Sequence, residues 1–270
     1  MPHLHHSCQE QAALFQPVIA DIQDYSRGLF LLALEDLPEG FSFKAGQFVH
    51  IRVSSSDHPL LRRPISIQRV HQGRLELLIR EVGVGTQLLH LSKPGDRLDV
   101  LGPLGTAFSP IQPGERVLMA GGGVGVAPLL AVIDQAAVGA AGDLCYGVST
   151  ASEIQELDPF QRKDCFFTFH FSTDDGSRGH QGFCTDVARL LAGKQVYNRI
   201  YTCGPWIMMQ KVFEIACGAG LPVEASLEVQ MGCGLGACLG CVYQSTDGEF
   251  IRSCIDGPVV DGYTVEWERA

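Results

Sequence analysis

The sequence predicts three modules in order: a small antiparallel β-barrel, a parallel α/β domain and a small C-terminal cysteine-rich domain. Short apolar runs broken by Gly, Pro and Asp fill residues 15–112, and strands alternate with helices over residues 113–222. Four of the ten cysteines then fall close together near the C-terminus. Closely spaced short strands are typical of a barrel, whereas strands alternating with helices are typical of a parallel sheet.

The composition excludes several classes of protein. Of the 270 residues, 46% are hydrophobic and 19% are charged, which allows a sizeable core and argues against a disordered chain. The formal net charge of −10 leaves no basic surface typical of nucleic-acid binding. No secretory signal is expected, because residues 1–7 show no basic segment followed by an apolar one. No membrane span is expected, because the uncharged run 117–133 contains four glycines and a proline. A reduced, cytoplasmic protein is the interpretation that fits ten cysteines without an export signal.

Residues 15–112 predict six strands, with helical periodicity only near Thr86–Leu91. The predicted strands are Val18–Ile22, Leu29–Leu34, Gln47–Val53, Pro64–Val70, Leu75–Val82 and Arg97–Val100. The His- and Gln-rich residues 1–14 are interpreted as an N-terminal extension without an assigned role.

After residue 113 the pattern becomes that of an α/β domain. The first strand, Val117–Ala120, runs into a glycine turn at residues 121–125 and then into a helix through Ala137. Further strands are predicted at Leu144–Val148, Cys165–Phe171 and Arg199–Cys203, and helices near Gly182–Ala192 and Pro205–Gly218.

The cysteine spacing is the strongest local signal. Cys233, Cys238, Cys241 and Cys254 are separated by four, two and twelve residues, which is the plant-type spacing of a [2Fe–2S] cluster. Interleaved glycines let the backbone wrap closely and turn its N–H groups towards the cluster sulfurs. A hairpin over Val242–Ser253 would bring the last cysteine back. A structural zinc site is the alternative, although zinc sites more often pair two C-x₂-C units.

Two segments of the barrel module have the chemistry of anion sites. The pair Arg62-Arg63 precedes Pro64-Ile65-Ser66, and an arginine fork can hold a pyrophosphate. By itself the pair is more often a solvated strand end. After Leu78-Ile79-Arg80, the run Gly83-Val84-Gly85-Thr86 opens a helix whose free N–H groups suit an anion. Two such sites on one small barrel are consistent with a dinucleotide.

The glycine turn, Gly121-Gly122-Gly123-Val124-Gly125, lies where an α/β sheet binds a nucleotide. It is not the G-x-G-x-x-G pattern, so it could equally be a tight strand–helix turn. Cys203-Gly204-Pro205 ends another strand at the same predicted edge, and on spacing alone Cys203 is a buried thiol. The cysteines at 145, 165, 184 and 217 are expected in the core.

Taken together, these motifs in this order resemble the ferredoxin reductase superfamily. Within it, residues 227–238 (LEVQMGCGLGAC) and Asp256-Gly257-Pro258-Val259 are similar to the electron-transfer subunits of NAD-dependent dihydroorotate dehydrogenases. The resemblance covers about residues 15–262. Gly232 stands where alanine is expected in many relatives, and a small residue is kept.

The resemblance implies a FAD-binding barrel over residues 15–112, an NAD-binding α/β domain over 113–222 and a [2Fe–2S] domain over 223–270. The residues implied to line FAD are Arg63, Pro64, Ile65, Ser66, Leu78, Ile79, Arg80, Gly85 and Thr86. Those implied beside the nicotinamide nucleotide are Gly121, Gly122, Gly123, Val124, Gly125, Cys203, Gly204 and Pro205. The implied cluster ligands are Cys233, Cys238, Cys241 and Cys254.

The resemblance also implies a function and a partner. Electrons would pass from dihydroorotate, oxidised on an FMN-containing catalytic subunit, through the cluster and FAD to NAD⁺, in pyrimidine (UMP) biosynthesis. A heterotetramer with two copies of each subunit is implied, and the base that deprotonates dihydroorotate would belong to the partner. NAD is favoured over NADP, because residues 149–156 contain no Arg or Lys for a 2′-phosphate.

Two rival functions stay open from the residues. One is the small subunit of another redox complex of the same superfamily, such as a sulfide dehydrogenase or a transhydrogenase. The other is a non-catalytic assembly module whose four cysteines hold zinc.

Overall fold

A computed structural model describes residues 12–54 and 58–269. The strands are β1 (Ala13–Phe15), β2 (Val18–Asp24), β3 (Leu29–Glu35), β4 (Phe48–Arg52), β5 (Arg63–Ser66), β6 (Arg69–His71), β7 (Arg74–Arg80), β8 (Asp99–Leu104), β9 (Arg116–Gly122), β10 (Ala141–Val148), β11 (Phe166–Thr173), β12 (His180–Gln181), β13 (Arg199–Cys203), β14 (Val223–Ser226), β15 (Val242–Gln244), β16 (Phe250–Arg252) and β17 (Val259–Asp261). The helices are α1 (Val84–His90), α2 (Val126–Asp134), α3 (Cys184–Ala192) and α4 (Trp206–Ala219).

The first module consists of two four-stranded antiparallel sheets that enclose an apolar core. Their strand orders are β1-β8-β4-β5 and β2-β3-β7-β6. Backbone pairing among the described residues gives two sheets rather than one closed ring, and the word barrel denotes this pair of packed sheets. The single strand predicted over Pro64–Val70 is in fact two, because the chain leaves one sheet after Ser66 and enters the other at Arg69. Such a bend is how one chain serves two packed sheets.

The N-terminal extension predicted over residues 1–14 falls mostly outside the described residues. Its last part does not, because Ala13 and Leu14 belong to β1, which pairs antiparallel with β8. The sheet therefore begins before the predicted boundary.

The second module is built on a seven-stranded sheet of order β12-β11-β10-β9-β13-β14-β17. Six strands run parallel, and β17 pairs antiparallel with β14 at the edge. Helix α2 packs on one face, and α3 and α4 pack on the other. The strand order reverses between β9 and β13, and ligands of open α/β sheets bind at the carboxyl ends of strands beside such a point.

The uncharged run 117–133 forms β9, a turn and α2, as the sequence predicts. Among the described residues, no helix has both the length and the apolar character needed to cross a membrane.

The third module is not separated cleanly from the second. Strands β14 and β17 lie within the predicted range 223–270 but extend the α/β sheet. The predicted hairpin is present as β15 and β16, which form a two-stranded sheet of their own. The chain therefore leaves the large sheet after β14, forms the cysteine region and returns to the sheet at β17.

A buried carboxylate joins the first two modules. Glu153, whose side chain is 4% exposed, contacts Arg80 at 2.6 Å and Arg27 at 3.4 Å. Beside it, the amides of Gln68 and Gln155 hydrogen-bond each other across the same interface at 3.2 Å. Because Arg80 is one of the residues predicted to line FAD, this ion pair also positions the predicted cofactor site.

We expect Glu153→Gln to lower the thermal unfolding temperature, because it leaves the Arg80 guanidinium without its buried partner. The loss should be about 1–3 kcal/mol, below that of a fully buried pair because both arginines keep some contact with water. The matched control is Glu156→Gln, which alters an exposed carboxylate three residues further on. Equal unfolding temperatures of the two variants by differential scanning fluorimetry would contradict the assignment.

Candidate cofactor cleft and cysteine centre

A cleft of about 780 Å³, the central cleft, lies where all three modules meet. Its walls include Arg63 and Ser66 of β5, Val124 of the glycine turn and Met231 just before the first clustered cysteine. Sites for cofactors commonly have this size and lie at domain junctions.

The barrel contributes one wall of the central cleft. Of the residues predicted to line FAD, those on this wall are Arg63, Pro64, Ile65, Ser66, Leu78, Ile79, Arg80 and Thr86. The remaining one, Gly85, lies directly beneath the Arg63 side chain. A Cβ atom at Gly85 would come within 2.1 Å of the Arg63 Nε atom, so only glycine allows this arginine position. The residues of the proposed set are thus brought together by the fold.

The three arginines of this wall differ in their partners. Arg62 pairs with Asp99 at 2.8 Å, and Arg80 pairs with Glu153. The two arginines predicted to act as one fork therefore differ in role, since Arg62 pairs with a carboxylate of the barrel. Arg63 bonds only the Leu61 carbonyl oxygen among the described residues, which leaves its charge without a carboxylate partner.

Thr86 shapes the turn at the start of α1. Its hydroxyl oxygen accepts hydrogen bonds from the backbone N–H groups of Val82, at 2.9 Å, and Gly83, at 3.3 Å. The same hydroxyl donates to the Gly83 carbonyl oxygen at 3.1 Å. The Thr86 side chain thus provides hydrogen-bond partners for the backbone groups of its own turn.

The glycine turn meets Cys203-Gly204-Pro205 at one edge of the sheet, because Cys203 pairs with Gly121. A Cβ at Gly125 would lie 2.5 Å from the Cys203 carbonyl oxygen, so the two segments touch through glycine. Cys203 itself is 1% exposed, and burial raises the pKa of its thiol. It is both the buried thiol that its spacing indicates and a neighbour of the glycine turn.

A further wall, residues 226–231, was missed by the sequence reasoning as a lining segment. Glu228 is the one carboxylate among the described residues that line the central cleft. The Glu228 side chain is exposed towards the cleft. The surrounding walls nevertheless remove bulk water from its carboxylate, and this desolvation raises its pKa. Its charge also raises the pKa of the Cys203 thiol. The signal that could have found this wall was its position immediately before the clustered cysteines.

Residues 149–156, whose lack of Arg and Lys favours NAD over NADP, pack against the loop after β11. The Ala151 N–H donates to the Ser177 hydroxyl oxygen at 2.8 Å. Arg178 follows Ser177 in this loop and therefore lies near residues 149–156. Its guanidinium is 4.1 Å from the centre of the Phe171 ring. Sequence reasoning missed this arginine because it follows a different strand.

The clustered cysteines approach one another most closely at Cys241 and Cys254, whose sulfurs lie 3.2 Å apart. Cys238 is a neighbour of Cys233, since its side chain is among the groups that lower the pKa of the Cys233 thiol. Among residues 12–54 and 58–269, no three potential ligands converge to hold a single metal ion. In the plant-type cluster each iron takes two of the four cysteines, whereas one zinc ion takes all four about a single point.

Backbone N–H groups point at three of the four sulfurs. Leu235 donates to Cys233 at 3.3 Å, Gly236 to Cys254 at 3.2 Å, and Gly240 to Cys238 at 3.5 Å. Although burial opposes it, the amide donors around Cys233 lower the pKa of its thiol to about 7. Cys233 is therefore partly ionised at neutral pH, and thiolates are the metal-binding form.

The centre has a buried end and an open end. Cys241 and Cys254 are buried with Met231, Phe48 and Leu104 in one apolar cluster that adjoins the central cleft. Cys238 is exposed. Of the scattered cysteines, those at 145, 165 and 184 are buried as expected, but the expectation for Cys217 is wrong, because it lies on the exposed side of α4.

Family models match two parts of the chain. The oxidoreductase FAD-binding domain matches residues 22–108, and the iron–sulfur cluster binding domain of dihydroorotate dehydrogenase B matches residues 228–266.

Curated relatives cover most of the chain. It is 39% identical over 229 residues to the dihydroorotate dehydrogenase B (NAD(+)) electron transfer subunit of Desulforamulus reducens, covering 83% of this chain and 87% of the relative. It is 40% identical over 222 residues to the subunit of the same name from Bacillus caldolyticus, covering 79% and 83%.

Solved structures confirm the fold class. A structure of an NADH-dependent reduced ferredoxin-NADP oxidoreductase, described in connection with flavin-based electron bifurcation, aligns with a TM-score of 0.81 and 28% identity, covering 93% of this chain and 90% of that one. A ferredoxin NADP⁺ reductase from Neisseria gonorrhoeae with bound FAD and NADP aligns with a TM-score of 0.62 and 19% identity, covering 77% and 92%. The second likeness shows the fold alone.

Gly85→Ala should weaken FAD binding at least about tenfold, which corresponds to about 1.4 kcal/mol, because the new Cβ displaces the Arg63 guanidinium. Gly83→Ala, two residues earlier in the same turn, is the matched control, since a Cβ there meets nothing within 4 Å. Fluorescence titration of apoprotein with FAD measures both affinities. Equal affinities would count against the Arg63 contact.

Cys238→Ser should abolish the cluster, because one iron then has a single thiolate. Cys217→Ser changes an exposed cysteine outside the centre and should leave two irons per chain. Iron and acid-labile sulfide analysis decides between the outcomes. A Cys238→Ser variant with full iron content would show that Cys238 is not a ligand.

Proposed function

The chain belongs to the family of dihydroorotate dehydrogenase B electron transfer subunits, and from this we propose that it carries electrons from a catalytic partner to NAD⁺. The observation that carries the proposal is the central cleft. Arg63 of the barrel, Val124 of the glycine turn and Met231 beside the cysteine centre share this one cavity. A flavin, a nicotinamide and a cluster held by these elements would therefore be neighbours.

In this proposal the barrel wall binds FAD. Arg63 would hold the pyrophosphate, since its charge is not neutralised by a described carboxylate and Gly85 makes room for it. Arg80 would line the site while its guanidinium stays paired with Glu153. When bound, the flavin and the cluster supply two-electron and one-electron transfer respectively, which is what joining a hydride acceptor to a one-electron carrier requires.

The nicotinamide nucleotide would lie at the carboxyl edge of the parallel sheet. The glycine turn and Cys203-Gly204-Pro205 meet there, beside the point where the strand order reverses. Val124 carries this edge into the central cleft. Among the described residues, Glu228 would be the carboxylate close to both the flavin wall and Cys203.

The four clustered cysteines would bind the [2Fe–2S] cluster as the pairs Cys233–Cys238 and Cys241–Cys254. The buried pair adjoins the cleft through Met231, so electrons would leave the cluster on that side. The open end at Cys238 would face the donor. Apolar side chains around it, Leu235 and Leu239, are 51% and 59% exposed, which suits a protein surface that is covered by a partner.

The partner is the catalytic subunit that the family name implies. We infer that it contains FMN and oxidises dihydroorotate, so that this chain serves pyrimidine biosynthesis, and that the complex contains two copies of each subunit. A cytoplasmic setting, where thiols stay reduced, agrees with nine unbridged cysteines among the described residues.

A second candidate function is supported by one observation. The structure that aligns with a TM-score of 0.81 is of an NADH-dependent reduced ferredoxin-NADP oxidoreductase. A subunit of such a redox complex would use the same cleft and cysteine centre. The higher identity to the dihydroorotate dehydrogenase subunits, 39% against 28%, favours the first function.

The purified chain should show flavin and iron–sulfur absorption that bleaches when NADH is added anaerobically. With the FMN-containing catalytic subunit present, dihydroorotate should drive the reduction of NAD⁺, and Cys238→Ser should abolish this coupling. Size-exclusion chromatography with light scattering gives the subunit ratio. Coupling to NADPH and ferredoxin in place of dihydroorotate would establish the second candidate, and a colourless chain containing zinc would contradict both.

Gly125→Ala should slow the bleaching by NADH at least about tenfold while dithionite still bleaches both chromophores. The new Cβ would force the glycine turn away from the Cys203 carbonyl, whereas the FAD wall is untouched. Gly218→Ala is the control, because a Cβ at that position on α4 meets nothing within 4 Å. Equal NADH rates for the two variants would place the nucleotide elsewhere.

A further inference from the structure

A histidine is enclosed between the barrel and the cysteine centre. His50 lies on β4 and is 0% exposed. Two residues earlier on the same face, Phe48 lines the central cleft and packs in the apolar cluster with Cys241 and Cys254. The outer face of this strand thus runs from the cleft to the cysteine centre.

The His50 ring touches the loop that carries the first clustered cysteine. Gly234 has a φ of +72°, and a Cβ there would lie 2.7 Å from the His50 Nδ1 atom. Burial lowers the pKa of the His50 imidazole, and the backbones of Arg62 and Cys233 beside the ring oppose this shift. Any residue larger than glycine at this turn would push the ring and the cysteine loop apart.

Both ring nitrogens of His50 lack a hydrogen-bond partner that satisfies normal geometry within the described chain. A buried polar group without a partner is destabilising, so such groups are normally satisfied by a hydrogen-bond partner. An imidazole always carries at least one N–H group. Here the ring lies against the Gly234 turn of the loop that carries Cys233, and three sulfurs of this centre already accept hydrogen bonds from backbone N–H groups.

We propose that His50 donates a side-chain hydrogen bond to a sulfur of the iron–sulfur cluster held by the Cys233–Cys238 loop, and that this bond raises the reduction potential of the cluster. Hydrogen bonds to the sulfurs are one of the factors that set the potential of such clusters, because they stabilise the more negative, reduced state. The inference rests on the proposed function, since it requires the cluster. His50 acts as a positioning and tuning residue and takes no part in bond making.

The first test is spectroscopic. Pulsed EPR of the reduced holoprotein, labelled with ¹⁵N only in histidine, should show a nitrogen coupling to the cluster. The coupling should disappear in His50→Leu carrying the same label. A wild-type cluster signal without any ¹⁵N coupling would overturn the proposal and leave the proposed function intact. A wild-type chain without a cluster signal would instead contradict the proposed function.

The second test is an EPR-monitored redox titration. In His50→Leu the one-electron equilibrium of the cluster should shift about tenfold towards the oxidised form, equivalent to about 59 mV. His50→Asn, which keeps an N–H donor near the Nδ1 position, should recover most of the shift. Leu104→Met changes an apolar neighbour of the same Gly234 turn and should leave the potential unchanged.

Iron content and the FAD potential are measured in each variant to separate tuning from loss of structure. An unchanged cluster potential in His50→Leu with two irons bound would overturn the proposal. An equal shift in Leu104→Met would also overturn it, since packing alone would then explain the effect.

Discussion

The arrangement of the whole site depends on how the end of the third module is held against the barrel. Thr106, just after β8, donates its hydroxyl hydrogen to the Val259 carbonyl oxygen at 2.7 Å and accepts the Val259 N–H at 3.1 Å. Its own N–H donates to the Gly257 carbonyl oxygen at 2.6 Å. These bonds resemble the pairing of adjacent β-strands, except that the Thr106 hydroxyl takes the place of backbone groups in two of them. They anchor the chain where it returns from the cysteine centre to the large sheet.

This anchor explains why one cleft is shared by three modules. The segment after β14 is held at its far end, because β17 pairs with β14 and Thr106 hydrogen-bonds β17 to the barrel. Leu227 adds a further bond, from its N–H to the Pro258 carbonyl oxygen at 2.9 Å. Residues 226–231 are thereby held as a wall opposite the barrel. A redox relay needs fixed separations between its carriers, and these hydrogen bonds hold the loop in place.

The arginines at the central cleft have two different roles. Arg62 and Arg80 are paired with carboxylates, whereas Arg63 has no carboxylate partner among the described residues. A cation without a described carboxylate partner at the wall of a cleft attracts a phosphate group. The cysteine centre shows the complementary asymmetry, with a buried pair towards the cleft and an exposed cysteine towards solvent.

The sequence alone determined the features that depend on short spacings. Cysteine separations, interleaved glycines and the change from short strands to alternating strands and helices all act over a few residues, so they predict the three modules and the cluster ligands directly. The split of Pro64–Val70 into two strands was not predictable in this way, because an apolar run does not record which sheet covers each half. Cys217 likewise sits in an apolar stretch whose exposed side depends on the packing of α4.

Only the tertiary structure decided which distant residues meet. Glu153 with Arg80, Arg63 with Gly85, and His50 with Gly234 are contacts between elements that are separated along the chain and carry no common local pattern. Such pairs form because sheet order and strand register bring their elements together, and register is set by the whole buried face. The chemistry of each residue was therefore visible in the sequence, while its partner was not.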